Sequence, residues 1–167
     1  AFFLTGPEHE TLIHRPKDPF DHAVPGGNSV ATLNLLRLYY YTGDEELIHK
    51  AEKVLRLFRD KMEDEPSSFG QMLCSLDFYL ETPKEIAIIG QRDRSDAQAL
   101  LRLVHESYVP NKILLVIDPA QGVGDTFAHL PVGEMTQVQG KATAYVCHNF
   151  ACSVPTTTPE GLADLLK

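Results

Sequence analysis

Between Gly27 and Gly43 the chain carries apolar side chains on almost every side of a helix. Val30, Leu33, Leu35, Leu36, Leu38, Tyr39, Tyr40 and Tyr41 together cover nearly the whole circumference. A helix of this kind is stable in water only when it is buried all round, so the chain is expected to place it inside a layered helical assembly. Pro25-Gly26-Gly27 precedes the run, with Asn28 or Ser29 as the expected N-cap. Gly43 follows it, and only glycine enters the left-handed region there at low cost.

The next helix is of a different kind. Asp44 is its expected cap, and Glu45 and Glu46 lie at the positive end of its dipole. Leu47, Ala51, Val54, Leu55, Phe58 and Met62 then form a single stripe, so one face is buried and the other wet. The two helices read as a hairpin, one inner and one outer. A third helix is expected from Ser67 to Glu81, burying Phe69, Met72, Leu73, Leu76 and Leu80 and ending before Pro83.

Past Pro83 the pattern changes, which places a boundary between residues 1–83 and 84–167. Glu85 to Gly90 and Lys112 to Asp118 are short, continuous apolar runs, as in parallel strands covered on both faces. Ser95 to Tyr108 reads as the helix between them. Ala142 to Cys147 is a third expected strand. Thr158-Pro159-Glu160 supplies a cap, a proline at the first helical position and an acid in the first turn, opening a short helix to Leu166. The fold class is therefore mixed α and β: helical hairpins followed by a small α/β subdomain with a short, mostly parallel sheet. Pro119 to Gly140 gives no clear pattern, and Ala1 to Val24 is irregular, with Pro7, Pro16 and Pro19 blocking any long helix.

Charge excludes some functions. Residues 1–83 carry 8 Lys/Arg against 14 Asp/Glu, and residues 84–167 carry 7 against 9. A chain of net charge −8 without a basic stripe repels phosphate backbones, so no nucleic-acid partner is expected. The longest apolar helical run, Val30 to Tyr41, is too short to span a bilayer and is broken by Asn34 and Arg37. No basic segment followed by an apolar one opens the chain, so no signal peptide is expected. Three cysteines, Cys74, Cys147 and Cys152, are an odd set and favour a reducing, cytoplasmic compartment. Cys147 and Cys152 are separated by four intervening residues rather than two and lie at a strand end, so structural, buried thiols are expected, with a reversible disulfide or metal pair as the alternative. Cys74, in mid-helix, is expected in the core. Only Gly90 follows the first strand, so the glycines of a dinucleotide site are missing, and no P-loop or G-x-S-x-G elbow is present.

Four stretches carry a resemblance. They are Arg15-Pro16-Lys17 with Asp21; Pro25-Gly26-Gly27-Asn28-Ser29-Val30 leading into Asn34-Leu35-Leu36-Arg37-Leu38; Tyr108-Val109-Pro110-Asn111-Lys112; and Ala142-Thr143-Ala144-Tyr145-Val146-Cys147 with Asn149, Cys152 and Pro155. In this order they resemble the carboxy-terminal region of the thioredoxin-domain-containing YyaL / spermatogenesis-associated protein 20 family. One departure is Gly26, where the family usually has a small hydroxyl residue or alanine. The resemblance implies a longer parent with an amino-terminal thioredoxin-like domain and an (α/α) toroid similar to that of N-acylglucosamine 2-epimerases and six-hairpin glycosidases. The helices of residues 1–83 would be a slice of that toroid, and the partners would be the rest of the parent chain. A slice deprived of its neighbours would also self-associate.

Loops at one end of a toroid's inner helices line its central cavity, which singles out the segment before the first helix. His14 and Asp21 are the candidate catalytic residues, and Arg15, Lys17 and Asn28 the candidate binders of a carbohydrate; the mechanism would resemble epimerisation, with histidine as proton shuttle. Backbone N–H groups at the Gly-Gly-Asn-Ser start are a further candidate for holding an anion. The competing reading is an Arg15–Asp21 ion pair pinning the loop, with Asn28 as a cap, in a non-catalytic scaffold serving the thioredoxin-like domain. His14, Asp21 and His22 lack the spacing that puts two imidazoles on one helix face, so no metal is expected, and no cofactor.

Overall fold

The computed structural model describes residues 1–6, 8, 13–122, 124, 127, 131–149 and 151–167. The chain divides into two compact units, Ala1–Glu81 and Thr82–Lys167.

The first unit holds three helices: α1 (Gly27–Thr42), α2 (Glu45–Asp64) and α3 (Gly70–Leu80). α1 begins with no side-chain cap, the extended Gly26 standing at its N-cap, so neither Asn28 nor Ser29 plays the expected role. It ends as expected: Gly43 sits at φ 68° and donates its N–H to Tyr39 O at 2.8 Å. Asp44 caps α2 by accepting the N–H of Glu46 at 2.9 Å. A 3-10 turn, Pro66–Phe69, then leads into α3, so the expected third helix is a turn followed by a shorter α-helix.

The core of this unit is built from Val54, Leu55, Phe58 and Met62 of α2 against Phe69 and Met72. Leu80, expected inside, is 71% exposed, because the helix ends there. α1 packs along α2 and α3 and buries a small, partly polar face, Asn28, Ser29, Thr32 and Leu36. Val30 and Leu38 remain 40% and 47% exposed. Burial on all sides is thus not reached within this unit, whose other two helices flank only part of α1.

The second unit is a four-stranded mixed sheet with helices. Its elements are β1 (Lys84–Ile89), α4 (Ser95–Glu106), β2 (Lys112–Ile117), β3 (Thr143–His148), β4 (Ala151–Cys152) and α5 (Pro159–Leu165). The strand order is β2-β1-β3-β4. β1 and β2 run parallel, in register from Lys84↔Lys112 to Ile89↔Ile117. β1–β3 and β3–β4 are antiparallel. The mostly parallel sheet is corrected to a mixed one: an apolar run says that a strand is covered on both faces, not which way its neighbour runs. Ile86, Ile88, Ala144 and Val146 face Leu100 and Val104 of α4 and Leu162 of α5. Ala87, Ile89 and Ile117 face the other way, onto Val132. Thr158 caps α5 as its sequence required, accepting the N–H of Gly161 at 3.2 Å. The patternless stretch before β3 contributes a 3-10 turn, Pro131–Glu134.

Candidate functional site

The segment before α1 contains four of the five candidate residues, His14, Arg15, Lys17 and Asp21, and the fifth, Asn28, lies in the first turn of α1. The segment's shape follows from a few polar groups that satisfy backbone across long sequence distances. Leu4 donates its N–H to Pro16 O at 3.1 Å, bringing the first residues alongside residues 15–17. Arg15 seals that contact. Its Nη2 donates to Thr5 O at 2.5 Å, and its guanidinium carbon lies 4.4 Å from the centroid of the Phe3 ring. Lys17 Nζ lies 4.5 Å from the same centroid. Two cations against one ring form a small cation–π cluster at the edge of the unit.

Asn28 is 3% exposed and occupies the first turn of α1. Its Oδ1 accepts the N–H of Phe2 at 2.7 Å, and its Nδ2 donates to Phe2 O at 3.1 Å and to Asp18 O at 2.8 Å. Three hydrogen bonds nearly exhaust a carboxamide. Asn28 therefore ties the chain start to the helix.

Asp21 works in the same way at the other end of the loop. One carboxylate oxygen accepts the N–H of Gly26 at 2.6 Å; the other accepts those of Gln71 at 2.8 Å and Met72 at 3.1 Å. The latter two are amides of the first turn of α3, a turn with no cap of its own. A carboxylate at the positive end of a helix dipole is favoured there. Asp21 N–H also donates to Ser68 O at 2.8 Å. Gly26 approaches so closely that a Cβ on it would lie 2.5 Å from Phe20 O.

These contacts redistribute the expected roles. Arg15 and Asp21 do not pair with each other; each is engaged with backbone elsewhere. Asn28 does not cap α1. The anion expected at the α1 start meets an acceptor already present, the Asp21 carboxylate on Gly26 N–H. His14 is exposed. His22 lies 3.9 Å from Asp18, with its side chain mostly in solvent. Among the described residues no group of three or more His, Cys, Asp or Glu could hold a metal ion. None of the described helices is long and apolar enough to cross a membrane.

Two polar arrangements had no counterpart in the sequence reading. On α2 and α3, the Tyr79 hydroxyl donates to the carboxylate of Glu52. That bond holds the Glu52 carboxyl below its ordinary range and pushes the Tyr79 phenol up. The pair lines a groove of about 300 Å³ together with Leu55, Met62, Leu73 and Leu76. The residues are 27 positions apart on separate helices, so no local pattern announces them. In the second unit, Asp96 accepts the N–H of Ala142 at 3.0 Å and of Ala97 at 3.0 Å, and is bridged by Arg94 at 2.9 Å. The Ala142 amide first, with Arg94, holds its carboxyl below the usual range. An acid in the first turn of a helix was the available signal here.

The cysteines also differ from expectation. Cys147 and Cys152, expected as structural, buried thiols with a disulfide or metal pair as the alternative, are joined in a disulfide, their Cα atoms 3.9 Å apart. The register of β3 and β4 places them directly opposite one another. Cys74, expected in the core, is an exposed free thiol. It lies on the side of α3 away from Met72, Ser75 and Phe78, which point inward.

The described residues form five α-helices and a four-stranded mixed sheet, a mixed α and β fold. Comparison with known proteins gives it relatives. Over 157 residues, 91% of its length, it is 38% identical to human spermatogenesis-associated protein 20 and 37% identical to the mouse protein. The chain belongs to the spermatogenesis-associated protein 20 family. It spans about a fifth of the length of these relatives, the match covering 19% of each. An uncharacterized protein of Caenorhabditis elegans is 23% identical over the whole chain, which covers 22% of that protein. No family model matches the chain, and no solved structure matches it.

Proposed function

We propose that the chain is a non-catalytic structural and interaction element of a larger spermatogenesis-associated protein 20-type protein, forming its carboxy-terminal part. In this reading α1 and α2 are a slice of an (α/α) toroid, and the partners are the remaining toroid helices and a thioredoxin-like domain in a cytoplasmic protein. The observation that carries it is Asp21: both carboxylate oxygens accept backbone N–H groups, which supports a bracing role for this side chain. Asn28 is committed likewise. The half-exposed Val30 and Leu38 on α1 would give neighbouring helices an apolar surface or, in the isolated chain, a second copy.

A carbohydrate site with His14 and Asp21 as catalytic groups and Arg15, Lys17 and Asn28 as ligands would require Asp21 and Asn28 to leave these partners. Titrating a panel of neutral, amino and acidic sugars into the full-length protein separates the two readings. The scaffold predicts no saturable shift of resonances at residues 14–28. Saturable shifts at Arg15, Asp21 and Asn28, abolished by Arg15→Ala, would overturn it in favour of the carbohydrate wall.

A further inference from the structure

The Cys147–Cys152 disulfide ties together two residues that the fold already holds together. They face each other across β3 and β4, five positions apart, at the closed end of a hairpin. Backbone hydrogen bonds continue the pairing beyond them: Ser153 N–H donates to Val146 O at 2.9 Å, and Ala144 and Thr156 exchange bonds of 2.8 and 3.0 Å. A cross-link gains its stabilising effect by closing a long loop of the unfolded chain, and this one closes a very short loop. A structural purpose is therefore weakly served by it.

The two cysteine residues are unequal in exposure. Cys147 is 7% exposed, whereas Cys152 is an exposed residue of the two-residue outer strand β4. Exchange requires an incoming thiolate to approach one sulfur in line with the bond, with the other sulfur leaving on the far side. The more exposed Cys152 is the residue better placed for that approach, with Cys147 as the departing sulfur. Asn149, at φ 50°, turns the chain between the two strands and presents the pair at the end of the sheet.

We propose that Cys147 and Cys152 form a reversible thiol–disulfide exchange site that takes a dithiol as its substrate, with Cys152 the attacked sulfur and Cys147 the leaving sulfur. A thiolate of the dithiol attacks Cys152 Sγ, forming a mixed disulfide, and the electron pair of the broken bond leaves on Cys147 Sγ, which takes a proton from water. The second thiol of the dithiol loses its proton and attacks the substrate sulfur of the mixed disulfide. It closes the substrate's own disulfide and releases Cys152, which is protonated. Two electrons and two protons pass from the dithiol to the pair, and the reverse sequence oxidises a dithiol.

The test uses the folded, oxidised chain and needs no variant. Glutathione is added as a monothiol probe, free thiols are trapped with N-ethylmaleimide, and peptide mapping locates both adducts, which also separates Cys74 from the pair. The expected result is glutathione on Cys152 with maleimide on Cys147, in roughly tenfold excess over the reverse arrangement. Dithiothreitol should then reduce the pair in native buffer with the far-ultraviolet circular dichroism unchanged, and oxidised glutathione should restore it. Equal labelling, or glutathione chiefly on Cys147, would overturn the proposal. So would a bond that opens only in denaturant, or a reduced chain that loses its sheet, since either outcome makes the disulfide a structural staple.

Discussion

The carboxylate of Asp21 stands over the first turn of α3 and accepts the amide of Gln71 at 2.8 Å, fifty residues further along the chain. A residue outside the helix thus does the work of an N-cap. Removing it leaves the amides of Gln71, Met72 and Gly26 without this acceptor. Asp21→Ala should destabilise the first unit by about 1–3 kcal/mol. Asp21→Asn, which keeps one acceptor oxygen, should cost less. Urea denaturation of both variants, followed by circular dichroism, measures the difference; an Asp21→Ala chain as stable as the parent would show that the α3 amides find other partners.

Asn28 makes a separate prediction, because it fastens the chain start rather than a helix. Asn28→Ala should leave Phe2 N–H without an acceptor, at a cost of about 1–3 kcal/mol. The amide of Phe2 should then exchange with solvent faster, and limited proteolysis should cut within residues 1–6 before any cut in α1. Unchanged exchange at Phe2 would mean that the Leu4–Pro16 bond and the ring of Phe3 suffice.

The pH response of the second unit should depend on Asp96. Its carboxyl is held below the ordinary value of 3.8 by the Ala142 amide and by Arg94. Because the folded state holds the proton less tightly than the unfolded chain, the stabilisation is fully present above that ordinary value. It disappears as the pH falls through the lower, folded value. Asp96→Asn should therefore lose stability near neutral pH and show a shallower decline in acid. Melting temperatures of the two chains between neutral pH and about pH 2 test this; parallel curves would contradict it.

A backbone prediction concerns Gly43, which ends α1 at φ 68°. Any Cβ is strained in that region, so Gly43→Ala should destabilise by about 1 kcal/mol, measured as a lower urea midpoint. Gly43→Asn should cost less, since asparagine tolerates the left-handed conformation better.

Local chemistry made some of these features readable and left others hidden. Asp44 before its acidic first turn, and Thr158-Pro159-Glu160, marked the starts of α2 and α5, because a cap and the turn it serves are neighbours in sequence. The stripe from Ala51 to Met62 likewise carried its own period. Asp21 did not: an aspartate in a loop looks the same whether it meets a ligand or an amide fifty residues away. The direction of β3 and the presence of the two-residue β4 were equally hidden, since an apolar run does not name its partner. The disulfide depended on both, because four intervening residues bring two cysteines together only if the chain reverses between them. Asn149 takes the left-handed conformation at that reversal.

The central place of β1 bears on how the second unit assembles. Its partner β2 follows after a single helix, Lys84 meeting Lys112, whereas β3 comes from much further along, Glu85 meeting Cys147. Closing the longer loop carries the greater entropic cost, and non-local pairing is the slower event. During synthesis β1 can join β2 early, but its second side waits until residues beyond Thr143 have left the ribosome. In that interval one edge of the growing sheet is open to capture by another chain, and a chaperone bound there would shorten the exposure.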